Sequence, residues 1–123
     1  MGSRMLVSKY CSLSEVACKC GCGEIPKPKT LKKFDEIRFQ FGEPIHITSG
    51  YRCTKQNKKI GGAPNSNHVA GTAIDVVRTP HLEEFILKHL EMLDFYIEDL
   101  ASTPQWIHIQ INPPKSGKRQ FKP

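Results

Sequence analysis

Residues 66–75 constrain this chain more than any other stretch: Ser66-Asn67-His68-Val69-Ala70-Gly71-Thr72-Ala73-Ile74-Asp75. Asn65, Ser66 and Asn67 are turn formers, so His68 is expected on exposed backbone at the end of a loop. Residues 73–78 are rich in β-branched side chains and partly alternate, which places Asp75 in mid-strand. A carboxylate inside a sheet is costly unless its face is wet or its charge is met by a cation or hydrogen bonds. Residues 106–111 read as a second strand. There Ile107, Ile109 and Ile111 take one face, and Trp106, His108 and Gln110 take the other. Ile74 and Val76 likewise point away from Asp75. Two strands and a loop therefore offer His68, Asp75 and His108 on the side opposite the aliphatic residues. Two histidines and one aspartate form a catalytic-type zinc set, three protein ligands with a fourth position open.

The other elements arrange themselves around this set. Residues 6–16 carry a helix-start signal, with Ser12 or Ser14 ahead of Glu15. Residues 18–28 hold three cysteines, two glycines and two prolines and read as a loop. A helix is expected over residues 30–41, with Leu31, Phe34, Ile37 and Phe41 on its buried stripe and Gly42 as its stop. Residues 44–49 read as a strand, in which His46 belongs to sheet packing or stands behind the site. A short lysine-rich helix over residues 54–60 closes on Gly61-Gly62. The glycines, proline and asparagines of residues 61–67 build irregular backbone around a site. Pro80 opens a second long helix that buries Leu82, Phe85, Ile86, His89, Leu90 and Leu93, with His81 and His89 structural. Residues 95–97 form a short strand. If Phe95 and Ile97 face the helices, Tyr96 and Glu98 share the site side. The fold class expected is α+β: a small, mainly antiparallel sheet with helices on one face and a metal groove on the other.

At 123 residues the chain is one domain with a modest core, expected to be monomeric. Residues 1–5 read as a tag remnant, 6–111 as the folded domain, and 112–123 as an extended basic, proline-rich arm. No run suggests a membrane span, and no secretory signal is evident. Synthesis in a cytosol is therefore expected, with any exit left to other machinery or to lysis. A net charge of +6 suits a polyanionic partner such as nucleic acid, an anionic membrane or an acidic wall, or serves solubility alone. Specific nucleic-acid binding is disfavoured because no aromatic-basic motif accompanies the charge. Cys18, Cys20 and Cys22 look like a metal clip, yet their one-residue gaps are tighter than those of ordinary zinc knuckles. With Cys11 and Cys53 they make an odd number of cysteines, and free thiols are the expectation.

The pattern Ser66-x-His68-x-x-Gly71-x-Ala73-x-Asp75, followed far downstream by Trp106-x-His108, resembles the D-alanyl-D-alanine metallopeptidase family. The resemblance begins at Ser49-Gly50-Tyr51-Arg52, continues through Asn57 and Gly61-Gly62, and covers residues 6–111 in all. It implies a zinc peptidase that cuts peptidoglycan stem or cross-bridge peptides, on a fold shared with hedgehog signalling domains. An arginine in the Ser-Gly-Tyr-Arg context holds a substrate carboxylate in that family, a role implied for Arg52, whose planar fork suits it. Ser66 is either a hydrogen-bond partner for substrate or a brace of its own turn. Trp106 is placed with the substrate-binding residues.

The chain departs from the family pattern where the general base is usual. Relatives carry Glu or His two or three residues before the second zinc histidine; here Trp106 and Gln105 stand there. An aspartate often follows at the second residue after it, and here it is Gln110. The nearest upstream acids are Glu98 and Asp99, with Glu98 the expected base. Two functions follow as expectations: a phage or bacterial wall hydrolase using Zn2+, or a non-catalytic wall-binding or virion module of the same fold.

Overall fold

The computed structural model describes residues 5–123. In chain order its elements are α1 (Leu13–Val16), α2 (Pro28–Phe41), β1 (Ile47–Ser49), α3 (Thr54–Lys59), α4 (Asn67–Ala70), β2 (Ala73–Val77), α5 (Pro80–Leu93), β3 (Tyr96–Glu98), β4 (Trp106–Gln110) and β5 (Gln120–Phe121). Both long helices open on a proline, which suits the first turn because the N–H it lacks would have no intrahelical partner. Thr79 adds a side-chain cap to α5 by accepting the Leu82 N–H. Helix α2 begins two residues before Thr30, and the first strand begins at Ile47, later than Pro44. His46 stands just before that strand with its side chain exposed, and only its carbonyl joins the sheet, accepting the Val77 N–H at 2.8 Å.

The sheet order is β1-β2-β4-β3-β5, antiparallel except for the β3–β5 pair. Ile47, Ile74, Val76, Ile97, Ile107 and Ile109 of the sheet join Leu31, Phe34 and Ile37 of α2 and Leu82, Ile86, Leu90 and Leu93 of α5 in one core. This is the expected α+β arrangement. Burial of that aliphatic face also fixes the register, because a one-residue slip would put every polar neighbour into the core. The register pairs Ile74 with Ile109, Val76 with Ile107 and Asp75 with His108. Asp75 and His108 thus meet on the opposite face, with Glu98 on the next strand.

The tail differs from expectation. In place of an extended arm, residues 119–121 return to the sheet and pair parallel with β3. Ile97 donates its N–H to Arg119 O at 2.8 Å, and Asp99 donates to Phe121 O at 2.6 Å. Arg119 also donates to Asp94 Oδ1 at 2.9 Å and lies 4.4 Å over the Tyr96 ring. Phe121 alone, flanked by Lys118, Arg119, Gln120 and Lys122, was enough, because the backbone of an open sheet edge supplied the partners. The tag-remnant reading falls on residues 1–4, which lie outside the described residues, and on Met5. No helix among the described residues is long and apolar enough to cross a membrane.

Candidate metal centre

His68 does not sit at the end of an open loop: it lies in the single-turn helix α4, and its side chain is 2% exposed. Ser66 caps that turn by accepting the His68 N–H at 3.1 Å, so the brace role of Ser66 is visible in the structure. On the far side of the ring, His68 Nδ1 lies 2.8 Å from Gly50 O. A carbonyl only accepts, so Nδ1 carries the proton and Nε2 presents its lone pair. Glycine is required at position 50 because a Cβ would stand 2.3 Å from Val16 O. The tight approach of these two backbones delivers the Gly50 carbonyl to the imidazole.

His108 is oriented by the same logic. Gln110 donates its amide N–H to Asn112 O at 2.8 Å, which turns its own oxygen to His108 Nε2 at 2.7 Å. Nε2 therefore carries a proton, and Nδ1 faces the site. Asp75 Oδ1 lies 3.1 Å from His108 Nδ1 and 3.1 Å from His68 Nε2. The His68 contact lacks hydrogen-bond alignment, and Nε2 is buried without a hydrogen-bond partner among the described residues. Ligand atoms of His68, Asp75 and His108 all lie within 4.8 Å of one another. Two imidazole lone pairs and a carboxylate oxygen directed at one small space fit a divalent zinc-type ion.

The electrostatics agree with that fit. Burial by itself raises the Asp75 carboxyl, but its close contacts with the His108 and His68 imidazoles outweigh it and hold the group well below the usual carboxylate range. Burial also disfavours protonated His108, yet Asp75 first, then Glu98 and Gln110, raise its pKa above the ordinary value. The Asp75 carboxylate thus stays ionised and favours positive charge beside it.

A cleft opens over these residues, lined also by Arg52, Ser66, Glu98, Trp106, Gln110 and Phe121. Glu98 Oε2 lies 4.0 Å from His108 Nε2, and its side chain is 22% exposed. Asp99 turns elsewhere, accepting the Ala101 N–H at 3.1 Å, and it is not a cleft-lining residue. Arg52 donates from Nη1 to Asn57 Oδ1 at 3.3 Å, while its Nε is buried without a hydrogen-bond partner among the described residues. Arg52 itself is one of the residues lining the cleft. Trp106 forms part of the wall beside His108.

Two contributors were not anticipated as such. Gln110 was read only as a side chain unable to take a proton, although its place two residues after His108 on the same strand face signals an orienting partner. Phe121, whose ring centroid is 6.4 Å from that of His108, lay in a segment whose composition showed only an arm.

No curated protein matches the chain. A family model described as Peptidase M15 matches residues 6–110, which includes every member of the cluster. With the geometry of His68, Asp75 and His108, that match establishes that the chain belongs to the peptidase M15 family, the D-Ala-D-Ala zinc peptidases.

Proposed function

We propose that the protein is a zinc-dependent hydrolase of peptidoglycan stem or cross-bridge peptides, of the kind used by phages or bacteria to open a cell wall. Family membership supports a peptidase. The observation that carries the reading is the pair of oriented imidazoles, with His68 Nδ1 held by Gly50 O and His108 Nε2 held by Gln110 Oε1. Their other nitrogens and Asp75 Oδ1 would hold the metal. When bound, zinc supplies Lewis-acid activation of the scissile carbonyl and of the attacking water.

Glu98 shares the cleft with these ligands. It takes the proton from the attacking water and delivers it to the leaving nitrogen. Asp99 is the alternative base, reached only if its bond to the Ala101 backbone breaks. Arg52 binds a substrate carboxylate through its free Nε–H and one terminal N–H, a bidentate pair that a lysine cannot copy. Ser66 lies beside it and offers its hydroxyl to the peptide backbone. Trp106 gives the peptide an apolar wall. The wall lies outside the cytosol, so such an enzyme acts there, whether carried out by other machinery, released by lysis or borne on a virion.

Purified stem peptides and cross-linked dimers, digested with the zinc-loaded protein and read by mass spectrometry, test this reading. Release of a terminal D-amino acid identifies a carboxypeptidase, and cleavage inside the dimer an endopeptidase. Binding to the wall without any cleavage would assign the chain to the second reading, a non-catalytic module. The feature that favours that alternative is the absence of a carboxylate or imidazole at Gln105 and Trp106.

A further inference from the structure

A second group of metal-binding side chains lies apart from the cleft. Cys18, Cys20, Cys22 and Cys53 bring four sulfurs within 4.8 Å of one another. Cys18 Sγ and Cys20 Sγ are 3.4 Å apart, and Cys20 Sγ and Cys53 Sγ 3.6 Å. We infer that these four cysteines bind one structural zinc ion that clips the 18–22 loop to the start of α3.

Geometry favours a single shared ion. Zinc–thiolate bonds of about 2.3 Å in a tetrahedron put neighbouring sulfurs about 3.8 Å apart, close to the spacing of this group. A disulfide brings two sulfurs to about 2.05 Å and would divide the group into pairs. Iron–sulfur clusters spread their thiolates around several metal atoms, whereas these sulfurs surround space for one.

One-residue gaps argue against a zinc site only if the backbone is regular, and here it is not. Gly21 and Gly23 have φ of 88° and 82°, conformations that side-chain-bearing residues rarely adopt. They fold the loop back on itself, so that Cys18 N donates to Glu24 O at 2.9 Å and Gly21 N to Cys18 O at 3.2 Å. Alternate cysteines thereby converge where an extended strand would spread them. Cys53 arrives from the other direction as the residue capping α3. Its sulfur accepts the Gln56 N–H at 3.4 Å, while its own N–H donates to Cys18 Sγ at 3.3 Å. Backbone donors to sulfur are the outer contacts that steady thiolate ligands.

On binding, each thiol releases its proton to solvent, and the resulting site is dianionic. Lys19 and Arg52, each adjacent in sequence to a ligand, and the net charge of +6 offset that charge. The inference stands independently of the catalytic reading, because none of the four cysteines lines the cleft.

Metal analysis of the full chain, purified under reductant without chelator, tests it. The parent should carry about two zinc ions per chain; His68→Ala/His108→Ala about one, and Cys20→Ser/Cys22→Ser about one. Cobalt in the histidine variant should show the intense near-ultraviolet thiolate-to-cobalt band, and in the cysteine variant should not. In the parent, zinc should shield Cys20 and Cys22 from alkylation although both are exposed, and chelation should open them. That last measurement needs no variant. A zinc content left unchanged by Cys20→Ser/Cys22→Ser, iron in place of zinc, disulfides within the group, or alkylation of Cys20 and Cys22 with zinc present would each overturn the assignment. A parent with one zinc that this variant loses would count only against the His68, Asp75 and His108 centre.

Discussion

Gln110 Oε1 stands 2.7 Å from His108 Nε2, and this contact decides which nitrogen of the imidazole faces Asp75. Removing the acceptor frees the ring to take the other tautomer or to rotate. Partners that orient a metal-bound histidine contribute roughly 10- to 100-fold in metal affinity. Gln110→Leu should weaken zinc binding by that factor, measured by competition with a chromophoric chelator, while Gln110→Glu should retain it. His68→Ala, Asp75→Ala or His108→Ala should empty this centre altogether. An unchanged affinity in Gln110→Leu would mean that the ring is held by its packing alone.

Arg52 gives a prediction about substrate rather than metal. Its buried Nε has no hydrogen-bond partner among the described residues, and an unpaired buried donor is costly unless something else uses it. If a substrate carboxylate does, Arg52→Lys keeps the charge but loses the two-point contact. A charge-assisted hydrogen bond contributes about 1.5–3 kcal/mol, so kcat/KM should fall roughly 10- to 100-fold. Zinc content and far-ultraviolet circular dichroism should stay as in the parent. Equal kcat/KM in parent and variant would return Arg52 to a purely structural role beside Asn57.

The tail offers a test of how the cleft is closed. Phe121 and the β3–β5 pairing wall the site beside His108 and Glu98. A chain ending at Gly117 loses this strand and the Arg119–Asp94 contact, and it exposes the β3 edge. It should keep the zinc held by His68, Asp75 and His108, yet cleave stem peptides at least tenfold more slowly because water enters the cleft. Full activity in the truncated chain would show that β5 is only an edge cover.

These cases also show what could be read without coordinates. Asp75 and His108 were legible because strand alternation separates aliphatic from polar neighbours, and two strands with the same alternation present a common face. Helices α2 and α5 were legible from their stripes, and α5 also from its opening proline, whereas Pro28, which opens α2, reads as part of the preceding loop. The pairing of residues 119–121 was not, because β5 draws its stability from backbone donors and acceptors on β3, which no side-chain pattern records. The close approach of Gly50 to Val16 was equally hidden: it depends on two backbones meeting, and only the glycine hints at it. Convergence of Cys18, Cys20 and Cys22 escaped the spacing rule because Gly21 and Gly23 bend the loop away from regular geometry.

Asp35 and Cys11 supply a prediction about stability. Asp35 accepts from Ser8 Oγ at 3.0 Å, Lys9 N at 3.0 Å and Tyr10 N at 2.9 Å, which ties the N-terminal segment to α2. Asp35→Ala leaves these donors unmet and should cost about 1–3 kcal/mol, read as a lower denaturant midpoint with an unchanged slope. Cys11 is fully buried, and burial chiefly pushes its thiol from 9.0 up to about 12. At neutral pH it is therefore almost wholly protonated, and reactivity belongs to the thiolate. Cys11 should resist alkylation in the folded parent and gain reactivity in Asp35→Ala as the segment opens.

Glu98 is the residue on which the choice between enzyme and binding module turns. Peptide hydrolysis needs a proton acceptor within reach of the attacking water, directly or through one further water. Gln105, Trp106 and Gln110 cannot accept that proton, and Asp99 is engaged with the Ala101 backbone. Glu98 lines the same cleft as the three ligands, 4.0 Å from His108 and in contact with solvent. Glu98→Gln preserves shape and removes only the basic oxygen. It should keep the zinc and the fold while lowering kcat by roughly a hundredfold or more, the scale of general-base catalysis. Asp99→Asn should do less. If the parent digests cell wall and neither substitution slows it, the base lies elsewhere. If the parent binds zinc and wall yet releases no peptide fragment, the chain has kept the metal scaffold of its family without the proton acceptor, and Glu98→Gln will bind wall as tightly as the parent.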